Sequence, residues 1–148
     1  MYTALESMPT LKNDCDGYVI LVQYSDTIGH FVCTYFYKGD VFFFDSFGRK
    51  KNYFENLHNQ LVQTGRSEYT RSLYFDLLRR SNITRLNWFD YKIQDDKSKL
   101  CGVWCLLRIK HKSMSDLDFY TKFKNKEKQL ADDADKKLKT RSYGNWFF

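Results

Sequence analysis

Proline occurs once in this chain, and no run of 18 or more consecutive apolar residues is found. The first scarcity excludes a Pro-rich linker or collagen-like protein; the second leaves no candidate membrane-spanning helix, so no membrane partner is expected. Cysteine is also sparse: Cys15, Cys33, Cys101 and Cys105 are too few and too scattered for a disulfide framework. The opening stretch MYTALESMPTLKND lacks the basic-then-apolar build of a secretory signal. Reduced thiols in a protein that is not secreted are therefore expected.

What is present points to a folded chain. With 13 Phe, 11 Tyr and 3 Trp, the composition is far from that of disordered sequences. A length of 148 residues suits a single domain, 1–148, with one core. The net charge is +6, and it is unevenly spread. From Arg108 to Arg141 there are 11 basic and 6 acidic residues, leaving +5 in that segment. Such an excess fits non-specific contact with nucleic acid through the C-terminal region, and it equally fits a solvated helix face.

GYVILVQY (17–24) is β-branched and continuous enough for a buried strand. FVCTYFY and DVFFFDSFG flank Lys38-Gly39 and predict a hairpin turning there. KKNYFENLHNQLVQTG spaces Phe54, Leu57, Leu61 and Val62 as a helix ending at Gly65, and SEYTRSLYFDLLRRSN predicts a second helix capped by Ser67. LNWFDYKI (86–93) alternates like another strand, and IQDDKSKL is polar and irregular. CGVWCLLRIKH reads as a buried helix, and residues 115–141 as one or two amphipathic helices behind a Ser/Asp cap. This order predicts an α+β fold with a mainly antiparallel sheet flanked by helices.

Cys101 stands where the polar loop meets the apolar helix. Nucleophile, metal ligand and buried thiol are the three readings. Zinc sites draw on four ligands, commonly from tight Cys pairs, and no second pair accompanies Cys101 and Cys105. Cys105 and Cys33, inside apolar runs, read as small core residues. A thiol in the first turn of a helix meets N–H groups and a partial positive charge that favour its anion, and Gly102 beside it permits close approach of a substrate backbone.

A thiol nucleophile needs an imidazole, which in turn needs an orienting acceptor. His58 falls within a predicted helix, and His111 lies ten residues beyond Cys101. At about 1.5 Å per residue, that separation is roughly 15 Å along a helix. His30 opens a predicted strand. With a two-residue turn at Lys38-Gly39, Tyr37 pairs with Asp40, which makes His30 and Asp45 diagonal neighbours on one face. A three-residue loop would separate them.

His30, Asp45 in FFFDSFG, and Gln94 seven residues ahead of Cys101-Gly102 resemble, in this order, the His, Asp/Glu, Gln, Cys-Gly series of the adenovirus-type and Ulp/SENP-type cysteine proteases. LLRRS (77–81) is also similar to the adenoviral enzymes, and the resemblance spans about residues 17 to 109. Phe31 stands where the family usually has Trp.

The resemblance implies a papain-like core and a cysteine endopeptidase that hydrolyses viral precursor proteins at Gly-containing sites. Cys101 would be the nucleophile, His30 the base and Asp45 its orienting acid, with Gln94 in the oxyanion hole. It implies no required cofactor, with activation by DNA or a short peptide, and residence in the virion or in the host cytoplasm or nucleus. Only 29 residues precede His30, which favours short extended substrates over a whole ubiquitin-like protein. A desumoylating isopeptidase, an effector-type acyltransferase and a non-catalytic basic binding module remain as alternatives.

Overall fold

At Lys38-Gly39 the backbone takes φ values of 50° and 82°. Two successive positive φ angles are what a two-residue type I′ turn requires, and its twist matches that of the strands it joins. In the computed structural model, which describes residues 2–4, 15–23, 28–65, 82–83 and 85–133, this turn links β3 (Gly29–Tyr37) to β4 (Asp40–Phe44). The two strands are antiparallel, with Tyr37 opposite Asp40 and Cys33 opposite Phe44, which is the register the sequence predicts.

Three further strands complete a five-stranded sheet in the order β1 to β5: β1 (Tyr2–Ala4), β2 (Tyr18–Gln23) and β5 (Asn87–Trp88). β2 pairs antiparallel with β3, whereas β1 on β2 and β5 on β4 are parallel. The fold is thus α+β, and the sheet is mixed: antiparallel at its centre and parallel at both edges. Two expectations change here. Tyr2–Ala4 is an edge strand that the sequence did not signal, and the predicted strand 86–93 shrinks to Asn87–Trp88.

The helices are α1 (Lys51–Gln63), α2 (Cys101–Lys110) and α3 (Asp116–Phe123), and residues 127–133 are also helical. The helix predicted across SEYTRSLYFDLLRRSN lies, but for Asn82, outside the described residues, as does everything beyond residue 133. α3 starts as expected, with the Ser115 hydroxyl accepting from the Asp118 N–H at 3.1 Å.

Both faces of the sheet are covered, which is why its strands read as continuous apolar runs. On one face Ile20, Val22, Val32 and Phe43 pack with Phe54 of α1. On the other, Val19, Phe31, Cys33, Tyr35 and Phe44 pack with Trp104 and Cys105 of α2 and Phe119 of α3. Cys33 and Cys105 serve as core residues: the Cys33 thiol points to the Cys105 carbonyl at 3.8 Å, and the Cys105 thiol to the Phe31 carbonyl at 3.6 Å.

Arg108 corrects the reading of the basic segment. Its guanidinium is buried, donating to the carbonyls of His111 and Met114 and to the Asp116 carboxylate, each at 2.9 Å. It also lies over the Phe119 ring at 4.8 Å. This residue ties α2 to α3 and is no part of an exposed basic surface.

Candidate active site

The hairpin register sets the first contact. His30 is the second residue of β3, and Asp45 follows β4 directly. Both are buried, and His30 Nε2 lies 2.6 Å from Asp45 Oδ1. The same oxygen accepts the Phe47 N–H at 3.0 Å, which fixes the carboxylate. Asp45 Oδ2 is buried without a hydrogen-bond partner among the described residues.

Cys101 opens α2 and is 3% exposed. The Leu100 side chain does not cap this helix, and the thiol lies at its positive end. The Phe31 N–H points to Sγ at 3.5 Å. Phe31 follows His30 in the chain, so this contact brings the helix end against the start of β3.

His30 faces both partners. Burial works against a charged imidazole, but hydrogen bonds to Asp45 and then to Cys101, with the charges of both, outweigh it and raise the His30 pKa to about 9. Because Nε2 is taken by Asp45, Nδ1 is the nitrogen left for the thiol. By contrast, His111 lies just past the far end of α2, its pKa lowered by desolvation and by the neighbouring Lys122.

Gln94 is 1% exposed and held at both ends of its amide. The Ser46 hydroxyl donates to Oε1, while Nε2 donates to the Ser98 carbonyl at 2.9 Å. Ser98 Oγ in turn accepts the Leu100 N–H at 3.2 Å, so Gln94 is tied to the segment that enters α2. His30, Asp45 and Cys101 thus meet directly, and Gln94 is linked to them through Ser46 on one side and Ser98 on the other.

Four contributors were not identified from sequence. Ser46 is adjacent to Asp45, and that adjacency was its only signal. Phe47 stacks on the His30 ring at 4.9 Å, so an aromatic from β4's continuation lies against the imidazole. The Arg49 guanidinium lies over Phe47 at 4.7 Å and over Tyr53 at 4.4 Å, which places a held cation beside this wall. Glu127 accepts from the Asp95 N–H at 2.8 Å and from Trp104 Nε1 at 3.4 Å, bracing the Gln94 loop against α2. No local pattern marks a residue that acts from so far along the chain. A cleft of about 520 Å³ runs beside Gln94, lined by Lys92, Asp95, Lys124, Glu127 and Lys128 among others.

Among the described residues no group of three or more His, Cys, Asp or Glu side chains could hold a metal ion. No family model matches the chain, and neither a curated protein nor a solved structure matches it.

Proposed function

We propose that the protein is a cysteine peptidase with the papain-like core of the adenovirus-type and Ulp/SENP-type enzymes. The observation that carries this reading is the buried series Asp45, His30, Cys101, in which a carboxylate holds Nε2 at 2.6 Å and the thiol sits at a helix start. A single short His–Asp contact is common in protein cores; one that also meets a cysteine at such a place is the arrangement a thiol nucleophile needs.

Cys101 as thiolate adds to the scissile carbonyl, forming the C–S bond and moving the carbonyl electron pair onto oxygen. The Gln94 amide and the Cys101 backbone N–H stabilise that oxyanion, a contribution typically worth about 2.7–4 kcal/mol per donor. As the tetrahedral species collapses, the C–N bond breaks and His30 Nδ1–H protonates the departing amine. Water then adds to the thioester, giving its proton to His30, and the acid product leaves with Cys101 restored. Asp45 keeps the ring oriented and supports its charge throughout.

The resemblance extends the proposal to Gly-containing extended segments of viral precursor proteins. Mass-spectrometric mapping of new N-termini in a peptide library tests it, with Cys101→Ala as the blank. Cleavage by the native chain alone, clustered at Gly, is the expected result. A termini profile identical to that of the blank would end the peptidase reading, and transfer of acetyl from acetyl-CoA to lysine or serine would favour an acyltransferase.

A further inference from the structure

We infer that Ser46 is a positioning residue that holds the Gln94 amide with Nε2 turned toward the reacting carbonyl; this rests on the peptidase reading above. The two ends of a primary amide are nearly equal in size, but only Nε2 donates. Turned over, Gln94 would set its own oxygen against the developing oxyanion and repel it. One neighbour decides between the orientations and the other holds the result. The Ser98 carbonyl can only accept, so it requires Nε2, which it meets at 2.9 Å. Oε1 then faces the Ser46 hydroxyl, which must act as donor.

Nε2 carries two protons, and the bond to Ser98 uses one of them. The other is the donor this orientation leaves for substrate. Ser46 is 0% exposed and Gln94 1%, so bulk water does not replace the hydroxyl if it is removed. Ser46 also holds the main chain, because its carbonyl accepts the N–H groups of Ile93 at 2.9 Å and Gln94 at 3.0 Å. The close approach behind these bonds depends on Gly48, at φ 68°, where a Cβ would come within 2.6 Å of the Tyr91 carbonyl. Adjacent residues therefore orient the two halves of the site: Asp45 the imidazole and Ser46 the oxyanion donor.

The test compares two reactions of Cys101 in the full chain. Acylation by a p-nitrophenyl ester passes through an oxyanion: the thiolate adds to the carbonyl, a C–S bond forms, and p-nitrophenolate leaves with its electron pair. Alkylation by iodoacetamide is a direct displacement of iodide and develops no oxyanion. Ser46→Ala is expected to slow the acylation burst by about 10- to 100-fold, as loss of an orienting partner typically does, with Cys101 alkylation unchanged. Ser46→Cys keeps a weak donor of similar size and should fall between, which preserves the test if the alanine variant does not fold. Ser46→Ala/Gln94→Ala should acylate no more slowly than Gln94→Ala alone, because the hydroxyl acts only through that amide. Wild-type acylation in both Ser46 variants, or acylation and alkylation falling in parallel, would overturn the assignment and leave the peptidase reading intact. A wild-type chain with no burst above Cys101→Ala, and with Cys101 labelling no faster than Cys33, would instead overturn the peptidase reading and this inference with it.

Discussion

Replacing the Asp45 carboxylate should reverse the sign with which His30 contributes to the pH dependence of stability. In the folded protein the His30 pKa rises from 6.5 to about 9, against the opposing effect of burial. At about 1.36 kcal/mol per tenfold change, that rise is worth about 3 kcal/mol. A folded-state pKa above the unfolded one means that the stabilisation is whole below pH 6.5 and is lost as pH climbs through about 9. Cys101 also contributes to the raised His30 value, so the experiment uses a Cys101→Ala background, which removes the smaller of the two hydrogen-bond contributions. About 2 kcal/mol should then disappear between neutral and alkaline pH, equivalent to about 4–8 °C in Tm for a chain of this size. In Cys101→Ala/Asp45→Asn only burial acts strongly on His30, its pKa falls below the unfolded value, and its contribution is lost on acidification instead. Urea unfolding of both chains in half-unit steps from about pH 5.5 to 9.5 gives the two curves, and their difference cancels every other titrating group. Parallel curves would show that Asp45 does not govern the charge on His30 and would refute the reasoning.

Iodoacetamide near neutral pH should modify Cys101, though only 3% exposed, ahead of the exposed Cys15 and of the buried Cys33 and Cys105; labelling led by Cys15 would contradict an activated thiol. Cys101→Ala and His30→Ala should each remove turnover, whereas Asp45→Asn should leave a residue of it, and Gln94→Ala should lower kcat by about 100- to 1,000-fold with KM little changed. Asp116→Asn leaves the buried Arg108 guanidinium without its carboxylate and should cost about 1–3 kcal/mol in urea unfolding. For the basic C-terminal segment, the logarithm of the binding constant for a labelled duplex, read by anisotropy across a salt series, should fall against log salt with a slope of about −0.9 per phosphate contact, shallower in Lys136→Glu/Lys137→Glu/Lys139→Glu; a flat response would remove DNA binding by this segment.

How much of the site could be read from sequence follows from how local its causes are. The turn at Lys38-Gly39 sets the pairing of Tyr37 with Asp40, and parity alone then carries His30 and Asp45 to the same face. Cys101 at a helix start needed only the change from polar loop to apolar run. The failures have the opposite character. β1 is three residues long and pairs in parallel with β2, so neither its length nor a turn announces it. The alternation over 86–93 suggested a longer strand, but beyond Trp88 the ladder gives way. Ile93 and Gln94 donate instead to Ser46, because the Asp45–Gly48 turn docks on that segment. The same docking accounts for the shortened strand and for the site itself. It ends β5 early, takes Gln94 out of a sheet position, and buries its amide between two serines. Phe47, opposite His30 by continuation of the hairpin register, is delivered to the imidazole by the same turn. A hairpin whose parity the sequence dictates therefore supplies the dyad. A backbone docking that only the folded chain displays supplies the orientation of the fourth residue, which makes Ser46 and Gly48 the positions where folding and the proposed chemistry depend most closely on each other.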